Sequence, residues 1–310
     1  DARGLPVKRQ KLRLSASGFE EITHTTQDTS PTGTYTFNVY IVKDKSIAGL
    51  LGSTTVRVQE FLPDRMKITA HLSTERTEGW VSPDKLKGLV TLANLFGTPA
   101  ADRRVSANIG LFPAYPSFAA YADYHFYDPL RAKEGYNEPL PDAKTNEKGE
   151  AEFDLNLQRF AKATYRLRFN AQGFEAEGGR SVAAEAAVLV SPLPYLVGYK
   201  TDGDLQYINK NAKRTVDVIA INPETKKIEV AKLSLQLIER RYVSVLIKQD
   251  NGTFKYESKL KELKLSDEPL KITSKGLQLK IPTDKVGDFS WVIRDADNTE
   301  LNRIAFTIAA

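Results

Sequence analysis

Apolar and polar residues alternate strictly in three separate stretches of the chain. A period of two places every second side chain on the same face of an extended strand, so the alternation predicts half-buried β-strands. Little of the chain shows the 3.6-residue period of an amphipathic helix, and we therefore expect an all-β protein. The apolar members of the three stretches are Tyr35, Phe37, Val39 and Ile41, then Tyr165, Leu167 and Phe169, then Phe289, Trp291 and Ile293.

The three stretches belong to a longer repeated pattern. Their leading aromatic residues, Tyr35, Tyr165 and Phe289, lie 130 and 124 residues apart. A repeat of this size indicates tandem domains rather than a solenoid. A glycine opens a shorter alternating run upstream of each stretch, at residues 18–22, 149–155 and 276–281, and one more apolar strand follows downstream, at residues 55–61, 183–190 and 303–308.

Proline-containing segments separate the repeated units, at residues 62–64 and 191–194. Since proline lacks the N–H donor that a central strand needs, these segments are natural junctions. We predict three domains, 1–61, 62–190 and 191–310. Each is expected to be an antiparallel β-sandwich of the immunoglobulin or fibronectin type III kind.

The first of these domains is expected to be incomplete. Gly4 aligns with Gly97, because a strand is expected within about eight residues of each. Gly97 lies 35 residues into its domain and Gly4 lies 3 residues into the chain, so 35 − 3 = 32 residues are missing from the alignment. We therefore expect residues 1–61 to lack about two strands and to leave a sheet edge or a core face open.

The second domain carries an aromatic insertion, residues 112–136, in which eight of 25 residues are aromatic. Two interpretations remain open: the insertion caps the edge of its own sandwich, or it contacts another domain or a partner. In either case we expect it to lie at a domain boundary, with Tyr121 and Tyr124 among the buried residues. The candidate contact residues are Phe112, Tyr115, Phe118, Tyr121, Tyr124 and Tyr136.

The amino-acid composition excludes several kinds of functional site but does not assign a function. The chain has no cysteine, which excludes disulfides, thiolate metal sites and a cysteine nucleophile. It has no run of 18 apolar residues, and its N-terminus has no apolar signal region, so we expect any targeting signal to lie outside the chain. The net charge of +5 is spread over the whole chain, and we read the basic residues 8–13 as the solvated face of a strand rather than a nucleic-acid site.

No motif predicts catalysis, a cofactor or a metal. The three histidines, His24, His71 and His125, lie far apart, and neither G-x-S-x-G nor H-E-x-x-H occurs. Acidic pairs at residues 202–204 and 295–297 suit hairpin turns better than calcium, because neither continues into a twelve-residue calcium loop. We therefore expect no enzyme activity, no cofactor and no metal site.

Four stretches resemble the macroglobulin-like domains of bacterial α2-macroglobulins. They are residues 52–65, residues 121–124 with 128–135, residues 174–182 and residues 294–304. The resemblance covers nearly the whole chain and implies tandem macroglobulin-like sandwiches.

The resemblance also implies a function. Members of this family are periplasmic traps, tethered to the inner membrane by a lipidated N-terminus, that inhibit a broad range of endopeptidases. A protease cuts a bait segment, and a Cys-Gln thioester then attaches it. Neither part is in this chain, which is expected to be scaffold. The implied partners are other domains of the same polypeptide and, through the full-length protein, target proteases; no nucleic acid is expected.

Two other kinds of function remain open from sequence. Tandem sandwiches also form binding or adhesion modules of cell-surface and periplasmic proteins, and they form non-catalytic parts of large enzymes. A stack of exposed aromatic residues on one sheet face would favour a binding module.

Overall fold

The structure, a computed structural model, describes residues 1–60, 65–177 and 180–310. The chain divides into two compact units, Asp1–Asp64 and Arg65–Ala310. The predicted boundary between residues 61 and 62, with the proline-containing junction 62–64, lies outside the described residues.

The first unit is built around one β-hairpin. Strand β1, Gly33–Lys43, pairs antiparallel with β2, Ser46–Val58. Asp44 and Lys45 join the strands with φ angles of 49° and 69°, the left-handed geometry of a tight two-residue hairpin turn. Tyr35 is the one buried hydrophobic side chain among the described residues 1–60.

Two sequence predictions for this unit are wrong. Residues 18–22 and the basic residues 8–13 form no strand. Alternation decides which face a side chain takes only once a neighbouring strand satisfies the backbone hydrogen bonds. Within residues 1–60 the structure shows no such neighbour for either segment, and Phe19 is 83% exposed.

The second unit begins with a seven-stranded sandwich, here called the first sandwich. Its strands are β3 Met66–Leu72, β4 Lys87–Asn94, β5 Arg104–Pro113, β7 Tyr136–Lys144, β8 Glu150–Asp154, β9 Tyr165–Phe174 and β10 Ser181–Val190, and β6, His125–Phe126, lies in the insertion between β5 and β7. The sheets have the orders β3-β4-β8 and β10-β9-β5-β7. Pro139 and Pro141 lie in β7, a sheet edge, where the missing N–H donors cost least.

A second sandwich follows in the same unit. Its strands are β11 Leu196–Thr201, β12 Ile208–Asn209, β13 Thr215–Ile221, β14 Val230–Lys248, β15 Phe254–Ile272, β16 Leu277–Lys280, β17 Gly287–Arg294 and β18 Glu300–Ala309. The sheets have the orders β16-β13-β11-β6 and β12-β18-β17-β14-β15. The short pairing of β12 with β18 is parallel, and the other pairings within this sandwich's described strands are antiparallel.

The two sandwiches share one topology. Leaving aside β6 and β12, the first, second and fifth strands of each form one sheet, and the third, fourth, sixth and seventh form the other. This is the fibronectin type III arrangement. Each sandwich has its own core, centred on Phe169 and Leu167 in the first and on Trp291 and Phe306 in the second. The predicted all-β fold is confirmed, and the second unit contains two of the predicted tandem antiparallel sandwiches.

Helical structure in the described residues is limited to two short 3₁₀ turns, Ala119–Tyr121 and Leu157–Phe160. None of the helical segments in these residues has the length and apolar character needed to cross a membrane.

Candidate interface between the two sandwiches

The aromatic insertion crosses from the first sandwich to the second. Its strand β6 pairs antiparallel with β11, with Phe126 opposite Gly198 and His125 opposite Tyr199. Strand β11 would otherwise be the edge of its sheet, with unpaired backbone N–H and C=O groups. The first sandwich therefore supplies the fourth strand of a sheet in the second.

Gly198 makes this pairing possible. A Cβ atom built on Gly198 would lie 2.5 Å from Cε1 of Phe126, far inside van der Waals contact. Since glycine carries no side chain, the Phe126 ring lies directly on the backbone of β11.

Phe126 belongs to a group of five aromatic residues that we call the aromatic cluster. Phe118 lies at its centre, with ring centroids 5.3 Å from Phe126 and 5.9 Å from Trp80. Leu196, Ile219 and Ile221 of the second sandwich pack against the cluster, as does Leu189 of the first. Burying Trp80 and Phe118 contributes about 1.5–3 kcal/mol for each ring. The members of the aromatic cluster are Trp80, Phe118, Tyr121, Tyr124 and Phe126.

Hydrogen bonds fix the position of the cluster. Trp80 is 1% exposed, and its Nε1 donates to the carbonyl oxygen of Leu193 at 2.8 Å. The Tyr121 hydroxyl donates to the carbonyl oxygen of Thr225, in the second sandwich, at 2.7 Å. A buried indole or phenol without a partner would cost free energy, so these bonds select the docked geometry.

Asn302 links strand β6 to the second sandwich through side-chain hydrogen bonds. Its side-chain Nδ2 donates to the carbonyl oxygens of His125, at 3.0 Å, and Val197, at 2.9 Å. Its Oδ1 accepts from the backbone N–H of Arg303 at 2.7 Å. This buried amide therefore holds β6, β11 and β18 together.

A backbone contact lies on the other side of this interface between the two sandwiches, which we call the joint. The Trp80 N–H donates to the carbonyl oxygen of Pro223 at 3.1 Å. Gly79 has a φ of 96° and lies so close to that same oxygen that a Cβ would collide with it. Arg76 and Glu224 form an ion pair across the joint at 3.6 Å, where partial exposure limits its contribution.

Burial shifts the pKa values of two tyrosines near the joint. It raises the pKa of Tyr124, with the negative charge of Asp217 acting in the same direction. It also raises the pKa of Tyr199, whose ring lies 5.1 Å from that of His125. Both phenol groups therefore stay protonated and neutral near neutral pH, and a mainly apolar contact requires neutral side chains.

Asp128 is a buried carboxyl group at the point where the insertion returns to the first sandwich. One oxygen accepts the Leu130 N–H at 2.8 Å, and burial raises the pKa of the group above 3.8 despite that bond. Nearby, the backbone of Arg131 forms an isolated parallel β-bridge with Thr164, and Ala132 belongs to the hydrophobic core of the first sandwich. Folding thus favours the neutral acid at this position.

The structure divides the six predicted contact residues into two groups. Phe118, Tyr121 and Tyr124 belong to the aromatic cluster. Phe112, Tyr115 and Tyr136 lie outside it and pack against their own sandwich or insertion: Phe112 beneath the guanidinium of Arg168, Tyr115 beneath that of Arg131, and Tyr136 beside Phe160 and Tyr165. The ends of the insertion cap their own sandwich, and its middle reaches the neighbouring one.

The sequence interpretation missed four residues of the joint: Trp80, Phe126, Gly198 and Asn302. Two carried a signal. Trp80 is one of only two tryptophans and directly follows a glycine, and Gly198 interrupts an apolar strand, which often marks a close backbone approach. Asn302 resembles an ordinary polar strand residue, and only the fold shows that it is 3% exposed.

The acidic residues at 202–204 and 295–297 accept hydrogen bonds from within the chain. Asp202 accepts hydrogen bonds from Arg214 Nε at 2.8 Å and from the Thr215 N–H at 2.9 Å. Burial would raise the pKa of Asp202, but these bonds outweigh it and lower the pKa. Asp295 accepts the N–H groups of Asp297 and Thr299. In the part of the chain that the structure describes, no three His, Cys, Asp or Glu side chains are placed to hold a metal ion.

Comparison with known families agrees with this architecture. Residues 64–192 match the family described as "Bacterial Alpha-2-macroglobulin MG5 domain", and residues 198–309 match "Bacterial macroglobulin domain 6". The chain belongs to the bacterial alpha-2-macroglobulin family. The stretch between the two matched regions contributes Leu193 and Leu196 to the joint.

Three relatives in the alpha-2-macroglobulin family match almost the entire chain. The alpha-2-macroglobulin homolog of Yersinia pestis is 46% identical over 310 residues, 100% of this chain. The alpha-2-macroglobulins of Pasteurella multocida and Rickettsia conorii are 40% and 38% identical over 98% and 99% of it. The chain spans 16% of the length of each relative.

Proposed function

We propose that this chain is a non-catalytic scaffold region of a bacterial alpha-2-macroglobulin that inhibits endopeptidases by trapping them. Membership of the alpha-2-macroglobulin family supports the trapping function. The joint between the two sandwiches supports the scaffold role. Because β6 is hydrogen-bonded into a sheet of the second sandwich, a displacement of one sandwich carries the other with it. A scaffold needs such mechanical coupling in order to transmit a conformational change from one domain to the next.

In this proposal bait cleavage and thioester attachment take place elsewhere in the longer polypeptide. The chain has no cysteine and therefore cannot form a thioester itself. Its direct partners are other domains of the same polypeptide, and it meets target proteases only through the assembled protein.

The proposed location is the periplasm, with the full-length protein anchored to the inner membrane by lipid. The family resemblance supports this location. Fractionation of cells that express the full-length protein tests it: we expect the protein in the membrane fraction, released by detergent but not by salt. Recovery in the cytosol would contradict it.

The test of the trap compares the full-length polypeptide with this chain alone. Full-length protein is expected to lower trypsin cleavage of a large protein substrate, and the 310-residue chain is expected to leave it unchanged. Phe126→Ala in the full-length protein is expected to weaken inhibition, because it loosens the coupling between the sandwiches. Tyr115→Ala, at a residue 71% exposed and outside the cluster, is the matched control. Inhibition by the isolated chain would refute the proposal.

A further inference from the structure

Strands β14 and β15 extend well beyond the second sandwich. Each has 19 residues, but β17 pairs with β14 only as far as Arg240, opposite Asp288. Past that point the two strands form a ribbon that we call the projecting ribbon, residues 241–248 and 254–261 with the turn 249–253. A two-stranded hairpin with no covering layer is marginally stable in water.

One face of the projecting ribbon is apolar and aromatic. Residues directly opposite in an antiparallel pair share a face, and the pairs Tyr242–Leu260 and Leu246–Tyr256 therefore lie together with Phe254. Tyr242, Phe254 and Tyr256 are 67%, 62% and 71% exposed. The Ser244–Ser258 pair interrupts this face, but exposed aromatic and aliphatic side chains on both sides of it are the kind of apolar surface that marks an interaction site.

The two edges of the ribbon differ in charge. The edge of β15 carries Lys255, Lys259 and Lys261, and edge lysines discourage the addition of another strand. On β14 the six residues 242–247, Tyr-Val-Ser-Val-Leu-Ile, carry no charge and have high strand propensity. Only the β14 edge therefore lacks this protection.

We propose that the open edge of β14, residues 241–248, accepts an extended strand from another domain of the same, longer polypeptide. This rests on the proposed function in one respect, that the chain works inside an alpha-2-macroglobulin. The chain already uses this mode of contact once, where β6 extends the sheet of β11. The relatives offer ample further chain, since residues 1–310 span 16% of their length.

The ribbon's charges define the chemistry of the incoming strand. Its paired residues include five basic side chains, Arg241, Lys248, Lys255, Lys259 and Lys261, and one acidic side chain, Glu257. The incoming segment carries apolar residues at alternate positions, facing Tyr242 and Leu246, and acidic residues opposite Arg241 and Lys248, the two charges of the β14 edge itself.

A second copy of the chain fits this edge poorly. A two-fold antiparallel pairing of residues 241–248 with themselves places Arg241 opposite Lys248 at both ends. Like charges directly opposite each other destabilise a strand pair. The charge pattern therefore favours an acidic segment over self-association.

Amide hydrogen exchange measured by mass spectrometry tests the proposal on the 310-residue chain and on the full-length polypeptide. Peptides that cover residues 241–248 are expected to exchange quickly in the 310-residue chain. In the full-length protein the amides that point away from β15 are expected to exchange at least about 100-fold more slowly, because each gains a strand partner.

Ser244 and Ser258 provide a matched pair of variants, since they lie opposite each other on the same face, one on each edge. Ser244→Lys in the full-length protein is expected to reduce the protection of residues 241–248 about tenfold, because the new charge would be enclosed by the added strand. Ser258→Lys, on the edge already guarded by lysine, is expected to leave it unchanged.

Three results would overturn the proposal: equal exchange in the two proteins, protection in the 310-residue chain that rises with concentration, or loss of protection with Ser258→Lys alone. Protection of the edge in a full-length protein that fails to inhibit trypsin would uphold the docking and refute the proposed trap. The two proposals therefore fail separately.

Discussion

Gly198 shows how a single residue decides whether the two sandwiches join. Its missing side chain leaves the space that the Phe126 ring fills, and even alanine at this position would place Cβ 2.5 Å from a ring carbon. The requirement is steric and does not depend on backbone conformation, so even alanine fits at this position only if the Phe126 ring moves.

We predict that Gly198→Ala lowers the free energy of unfolding by about 1–3 kcal/mol, the usual cost of forcing extra atoms into a packed site. Urea denaturation followed by circular dichroism measures it. Gly52→Ala is the control, because a Cβ at Gly52 meets nothing within 4 Å. In the Phe126→Ala background the added cost of Gly198→Ala is expected to fall below half; full additivity would show that the ring is not the obstacle.

Asp128 makes stability depend on pH in a defined direction. Its folded-state pKa is raised by burial, so the folded state holds a proton that the unfolded state has already released. The contribution of the protonated acid is therefore present below pH 3.8 and is lost as pH rises through the raised folded pKa.

Asp128→Asn removes this titration while keeping an oxygen to accept the Leu130 N–H. We predict that the variant gains stability relative to the original chain as pH is raised from 4 to 7.5, measured by urea denaturation at each pH. Asp123→Asn, at an exposed carboxyl in the same insertion, is expected to show no such trend. A difference that shrinks with rising pH would mean that the Asp128 pKa is lowered.

At the scale of elements, the joint depends on a strand of only two residues. Strand β6 has no alternating pattern long enough to predict, and it forms because Phe118, Phe126 and the backbone acceptors around Asn302 hold the insertion in place. Tertiary contacts, rather than strand propensity, create this element.

We predict that Tyr121→Ser with Tyr124→Ser lowers the melting temperature by about 5–10 °C, because two rings and the hydroxyl bond to Thr225 are lost. Differential scanning calorimetry measures it. Tyr115→Ser with Tyr207→Ser changes two tyrosines that are 71% and 67% exposed and is expected to shift the temperature by less than about 2 °C. Equal shifts for the two pairs would argue against docking of the insertion.

The apolar–polar alternation located three strands correctly, although side-chain burial alternates along only one of them, β9. The alternation at Tyr35, Tyr165 and Phe289 lies within β1, β9 and β17. The same pattern at residues 18–22 gives no strand, since alternation does not specify a partner. The aromatic content of the insertion predicted a contact region. Which part of it packs on its own sandwich and which part reaches the neighbouring sandwich depends on the three-dimensional path of the chain.

At the scale of the whole second unit, the two sandwiches share buried surface and hydrogen bonds, so they are expected to unfold together. Trp80 lies in the joint and Trp291 in the second core, and the chain has no other tryptophan. Trp291→Phe therefore leaves a chain whose tryptophan fluorescence reports on the joint alone.

We predict that fluorescence and circular dichroism of Trp291→Phe give the same urea midpoint, the mark of one cooperative transition. Adding Phe126→Ala is expected to move the fluorescence midpoint to lower urea than the dichroism midpoint, because the joint then opens before the sheets. Separate midpoints in Trp291→Phe itself would show that the sandwiches unfold independently.

The order of β6 and β11 along the chain bears on biosynthesis. A ribosome delivers the N-terminal part of a protein first, so residues 125–126 have left the exit tunnel before β11, at residues 196–201, is made. The segment that covers the β11 edge is therefore already present in the same chain when that edge emerges. This order shortens the time during which the open strand could seed aggregation with other chains.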